Sequence, residues 1–369
     1  MLFTRVNGKC QLIIMLFALL FSMSGCSIQP LRLVRIESDS LKVGTDIPMI
    51  DPNSGPYLVS EEKKGPFPYF AWQIDESITQ DKPCRVKYNW WYHTIAKMVA
   101  VDGRIGYKGK KYPVVLDTGS PGSVIVINDI HVRKNKLAIY RLGSDNGGWG
   151  MCHLPELWIG NASLQNFRCI YHGVHMDLEL FGLRIDRDKT IIVGLPAMRK
   201  FKYIAFDGIR KEVEFSLNES FASEKTRLWS KYPFRIDSDL ENDVCLLLVR
   251  IPIAGKEEEL RLDTGGPTTL ILNQELWKNV NNRIQDVELG RGKTAFPGHG
   301  EGVVAGNKVV AKLQVGNRIV RNAIITILPN DSSVVQQAGG LLGMHPFEDT
   351  VMVLDFERNI MWIKNNGPD

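Results

Sequence analysis

The tripeptide Asp-Thr-Gly stands twice in this chain, at Asp117-Thr118-Gly119 and Asp263-Thr264-Gly265. Apolar residues lead into both copies, Val114-Val115-Leu116 in the first and Leu260 and Leu262 in the second. Small or β-branched residues around a proline follow both, Ser120-Pro121-Gly122-Ser123-Val124 and Gly266-Pro267-Thr268-Thr269-Leu270. Aligning Asp117 with Asp263 brings further features into register. A strand-and-turn lead-in precedes each aspartate, Val99 to Lys110 and Val249 to Lys256. A glycine-rich stretch follows, Gly143 to Gly150 and Gly290 to Gly302. Next comes a strand ending in a glycine turn, Leu157-Trp158-Ile159-Gly160 and Leu313-Gln314-Val315-Gly316. Then come Ile192-Val193-Gly194 and Leu341-Leu342-Gly343, and last the hairpins opened by Ala205-Phe206-Asp207 and Val353-Leu354-Asp355. Shared order at similar spacing predicts a duplicated all-β unit of roughly 120 residues.

The remaining texture fits that reading. Short β-rich runs such as Ile95 to Val101 and Ser123 to Ile127 alternate with Gly, Asn and Asp. Glu275 to Ile284 is the best helical candidate. With 369 residues, 44% apolar and 23% charged, the chain can build two sizeable cores. A net charge of +4, without a basic stripe interleaved with aromatics, argues against a nucleic-acid partner.

The N-terminus reads as a targeting segment. Arg5 and Lys9 precede an apolar run from Leu12 to Phe21, too short to span a bilayer comfortably, and Ser24-Gly25-Cys26 follows. This resembles a bacterial lipoprotein signal, with lipidation at Cys26, although Met23 stands where such signals usually carry Leu. Ser27 after the cysteine resembles lipoproteins sorted to the outer membrane. An ordinary secretory signal is the alternative, and it too implies export. The expected organisation is a signal over 1–25, a tether and extended lead-in over 26–87, a first lobe over 88–218, a charged connection over 219–242 and a second lobe over 243–369.

Export permits disulfides. Cys152 and Cys169 flank one expected strand and form the candidate bond, which leaves Cys84 with Cys245; buried free thiols are the alternative. His172, His175 and Asp177 have a loose metal-ligand look. On a strand, however, side chains three apart face opposite ways, so packing is the simpler reading and no metal is expected.

Taken together, Leu116-Asp117-Thr118-Gly119-Ser120, Leu262-Asp263-Thr264-Gly265-Gly266 and the two apolar-apolar-Gly signals resemble the two-lobed pepsin-like aspartic peptidases, and each half resembles a retropepsin subunit. The resemblance covers about residues 88 to 366. It implies two related small β-barrel lobes with a cleft between them, and Asp117 and Asp263 as the catalytic pair. Two adjacent carboxylates share a proton, because both cannot ionise easily. One would activate a water and the other would polarise the scissile carbonyl. Neither metal nor cofactor is implied, the partner is a polypeptide substrate, and one chain suffices as a monomer.

The resemblance also implies that Thr118 and Thr264 lock the opposing loops together. Gly119 and Gly265 let those loops turn, Ser120 belongs to the first of them, and Gly194 and Gly343 back them. A flap over Tyr140 to His153 is implied, with a tip that includes Gly147 and Gly148. Tyr140 and Trp149 are the candidates for the flap tyrosine's role. The stretch Phe296 to Gly302 is either a second flap or a surface turn. Gly266 departs from the family's usual Ser, Thr or Ala. A non-catalytic peptide-binding lipoprotein that keeps the fold is the competing functional reading.

Overall fold

The computed structural model describes residues 31–37, 60–62, 69–71, 76–120, 125–141, 149–172, 174–180, 183–187, 189–222, 226–239, 244–284, 287–294, 305–332, 335 and 338–365. Cys26, the Gly147-Gly148 tip and the Phe296–Gly302 stretch lie outside these residues. Strands account for 55% of the structure. The chain divides into two compact units, Met1–Ile36 with His175–Asp188, and Glu37–Val174 with Lys189–Asp369. In the smaller, strand Leu31–Glu37 joins Val174–Leu180 and Leu183–Arg187 in a three-stranded sheet. All that follows concerns the larger unit.

Strand β1 (Cys84–Lys87) precedes a closed six-strand barrel. The barrel consists of β2 (Ala100–Ile105), β3 (Lys111–Asp117), β4 (Ile125–Asn128), β5 (Trp149–Ile159), β6 (Ala162–His172) and β7 (Ile191–Gly194). Its strands pair in the ring β6-β4-β7-β3-β2-β5, and the β5–β6 hairpin closes it. A hairpin, β8 (Tyr203–Asp207) and β9 (Glu212–Ser216), and then β10 (Trp229–Asp239), lead to the second half.

There β11 (Val244–Ile253), β12 (Lys256–Leu262), β13 (Leu270–Asn273), β14 (Ala305–Val315), β15 (Arg318–Leu328) and β16 (Gly340–Leu342) repeat the ring. The order is β15-β13-β16-β12-β11-β14, closed at Ile253↔Val315. The hairpin β17 (Val351–Asp355) and β18 (Ile360–Lys364) ends the unit. The two rings therefore pair equivalent strands in the same cyclic order, which is the structural form of the sequence repeat. Even the turns correspond: Gly160 and Gly316 end equivalent strands at φ +61° and +60°, a left-handed backbone that glycine adopts without strain.

The terminal hairpins of the two halves join edge to edge. Strand β8 pairs antiparallel with β17 from Tyr203↔Asp355 to Asp207↔Val351. The resulting row β10-β18-β17-β8-β9-β1 is a six-strand sheet shared by both halves. Two segments outside the expected lobes join the sheets. In the extended lead-in, Ser77–Thr79 pairs with β6 and β1 pairs with β9. The expected irregular connection over 219–242 contains β10, which lies between β18 and β11.

Each barrel also carries a short helix after an equivalent strand. Helix α1 (Asp129–Asn135) follows β4, and α2 (Gln274–Asn281) follows β13. Both strands end in Asn, and that residue caps the helix. The Asn128 side chain accepts from the Ile130 amide at 3.1 Å, and Asn273 accepts from the Leu276 amide at 2.7 Å. The helical expectation over 275–284 thus falls on α2. The basic cluster Arg133 to Lys136 closes α1, with Lys136 left-handed at its C-terminus.

Candidate active site

Asp117 closes β3, and Asp263 follows the last residue of β12. In each barrel the strand carrying the apolar-apolar-Gly signal runs parallel beside the aspartate. Gly194 lies in register with Asp117. In the second barrel Leu262 lies in register with Leu342, whose carbonyl accepts from the Asp263 amide at 2.9 Å. Apolar burial fixes both strands, since Leu116, Val193, Leu262 and Leu342 are all at most 3% exposed. The aspartate loops are thus anchored by core strands that leave only the carboxyls and the glycines beyond them near the surface.

The two loops meet through their threonines. The Thr118 hydroxyl donates to the Leu262 carbonyl at 2.7 Å and accepts from the Thr264 amide at 3.1 Å. Reciprocally, the Thr264 hydroxyl donates to the Leu116 carbonyl at 2.5 Å and accepts from the Thr118 amide at 3.0 Å. Both threonines are fully buried, so this four-bond lattice is shielded from competing water.

The lattice holds Asp117 and Asp263 within hydrogen-bonding reach of each other. Each carboxylate also accepts from its own loop: Gly119 donates to Asp117 at 2.7 Å, and Gly265 donates to Asp263 at 3.0 Å. Close approach makes glycine mandatory. A Cβ at Gly119 would stand 2.4 Å from Asp263 Oδ1, and one at Gly265 would stand 2.6 Å from Asp117 Cγ. Behind the second loop, a Cβ at Gly343 would stand 2.3 Å from the Thr268 carbonyl oxygen. The Ser120 amide bonds weakly to the Asp117 carbonyl at 3.4 Å.

As residues, Asp117 and Asp263 are partly exposed, while the surrounding protein strips away most of the hydration of their carboxyls. That desolvation, more than anything else, raises both above the ordinary aspartate range. Asp117, further opposed by the charge of Asp263, is pushed up to about 8. Asp263 rises too, but the Gly265 and Gly266 amides and the Arg261 charge oppose the rise. Gly266 is more than a missing side chain: its amide donates to the Asp263 main-chain carbonyl at 3.2 Å, and a Cβ there would stand 2.6 Å from Asp263 Oδ2.

Other candidate residues lie elsewhere. Tyr140 belongs to strand Ile139–Arg141, which pairs antiparallel with β5, the strand that Trp149 opens. The segment joining them is outside the described residues. Cys152 and Cys169 face each other directly across β5 and β6, buried, as thiols rather than a disulfide. Cys84 and Cys245 are also buried thiols; they lie on β1 and β11, with five strands between them along the sheet, so the leftover pairing is not formed. No group of metal-binding side chains occurs among the described residues. No described helix is long and apolar enough to cross a membrane.

Arg261, for which sequence reading found no role, is buried two residues before Asp263 and donates to the Gly119 carbonyl. A charged residue inside the apolar lead-in, where the first half has Val115, was the available signal. No protein-family model matches the chain, and no curated protein matches it.

Proposed function

We propose that the chain is an aspartic endopeptidase of the two-lobed, pepsin-like architecture, exported and lipid-anchored through Cys26, acting on polypeptides as a monomer. The observation that carries this reading is the reciprocal threonine lattice, which brings the carboxylates of two equivalent loops within reach of each other. Such a pair holds one proton between pH values where isolated aspartates hold none. The Gly265 amide and the nearby Arg261 charge favour the Asp263 anion, so Asp263 is the general base toward water. Asp117 keeps the proton and donates to the scissile carbonyl as the tetrahedral adduct forms. The proton taken from water then passes to the leaving nitrogen.

The full chain incubated with a peptide mixture should cleave internal bonds from acidic to neutral pH. Asp117→Asn and Asp263→Asn should each reduce cleavage by about a thousand-fold or more. Cleavage that survives both substitutions would remove the pair from the chemistry. Binding without cleavage by the unmodified chain would favour a peptide-binding module. For the anchor, Cys26→Ser should release the protein from membranes; retention there would rule out lipidation at this residue.

A further inference from the structure

Arg261 sits on β12 with its side chain on the face that Asp263 continues, since two residues separate them on an extended chain. It is 6% exposed. Its neighbours in register on the adjoining strands are Leu248 of β11 and Leu341 of β16, both buried and apolar. One guanidinium N–H group donates to the carbonyl of Gly119, in the aspartate loop of the other barrel, and the Nε atom is buried without a partner. No ion pair to Arg261 exists among the described residues. The charged groups that act on it are Asp263 and Asp117.

A guanidinium cannot shed its proton at ordinary pH, and a buried cation without a counter-charge is strongly destabilising. The carboxylate pair with one shared proton has a single negative charge. That charge and the Arg261 cation are the two halves of a neutral site. The equivalent residue of the first barrel is Val115, so the site receives one such cation and not two.

We propose that Arg261 is a positioning residue for the carboxylate pair: it keeps the pair in its singly ionised form and braces the Gly119 loop against β12. The assignment of a reaction to that pair rests on the peptidase reading, but the electrostatic coupling does not. An added cation favours the ionised forms of its neighbours, so Arg261 holds both titration steps of the pair lower than they would otherwise be. Removing the charge raises both.

The test is a carboxyl 13C NMR titration of the full chain with labelled aspartate, in the wild type and in Arg261→Met, Arg261→Gln and Arg261→Lys. The neutral variants should move both steps of the pair upward by about one to three pH units. Arg261→Lys should return them most of the way. Gln keeps a donor for the Gly119 carbonyl, so a role limited to bracing the loop would leave its titration unchanged. The Arg261 15Nε resonance of the wild type should shift with the same midpoints as the carboxyls, a readout that needs no variant to fold. A flat Nε resonance, or an unmoved carboxyl titration in a folded neutral variant, overturns the proposal. Where peptide is cleaved, both limbs of the pH–rate profile should move up in the neutral variants. A shifted titration with no cleavage by any form, wild type included, would leave the coupling in place and remove the peptidase reading.

Discussion

At the scale of single residues, the site is governed by how little room its backbone leaves. Gly119 and Gly265 each stand where a methyl group would overlap the opposing aspartate, so glycine here is a requirement of packing and not of turn conformation. Gly265→Ala should therefore separate the carboxylates and lower cleavage by about a hundred-fold or more. Unchanged cleavage by this variant would contradict the close approach. The threonines act by a different means. Thr118→Val keeps the volume but leaves the Leu262 carbonyl and the Thr264 amide without their partner in a buried place. Each unsatisfied group costs about 1–3 kcal/mol. A double-mutant cycle with Thr264→Val in urea should show strong coupling, since the second substitution falls in a lattice already broken. Additive losses would mean that the two loops are held independently.

Elements carry the repeat, and they also show which parts of it were legible in the chain. Each barrel places an Asn at the end of an apolar tetrad, Ile125 to Asn128 and Leu270 to Asn273, and starts a helix there. Asn273→Ala should cost about 1 kcal/mol, read as a lower urea midpoint with an unchanged slope. No change would mean that the helix start is satisfied by other donors and acceptors. The strand ends and hairpins were readable because apolar runs closed by glycine leave few alternatives. Helix α1 was not, since seven residues are too short to express a helical period. Strand β10 alternates clearly, with Tyr232 and Phe234 buried and Lys231, Pro233 and Arg235 exposed. Its exposed charges give it the composition of a connecting segment, which masks that period-two pattern. The aspartates, threonines and glycines of the candidate site stand in two matched tripeptides, so the repeat and the resemblance pointed to them. Neither pointed to Arg261, since its meaning depends on the Gly119 loop, 142 residues distant in the chain. The Cys152–Cys169 neighbourhood was legible as a strand pairing, and the four cysteines proved equally suited to burial as thiols.

For the molecule as a whole, two barrels, a shared six-strand sheet and a threonine lattice have to hold two acids side by side, and that arrangement opposes stability as pH rises. Unfolded, Asp117 ionises near its ordinary value of 3.8; folded, it keeps its proton up to about 8. Between those values the folded state binds more protons than the unfolded state, so stability must fall with rising pH across the window. Below it both states are protonated at this residue, and above it both are ionised, so its contribution is flat. Asp117→Asn removes the group that must be ionised against burial. At pH 8 the variant should be more stable than the wild type by about 5 kcal/mol, an order-of-magnitude figure from the span between 3.8 and about 8. The advantage should shrink steadily on acidification and reach its smallest value near pH 4. Melting temperatures of both proteins across pH 4 to 8 give the comparison directly. A gap that does not change with pH, or one that widens toward acid, would mean that the pair does not hold a proton in the folded protein. An Asp117→Asn protein that is more stable at neutral pH yet inactive would mark the carboxylate pair as a place where the fold gives up stability for chemistry.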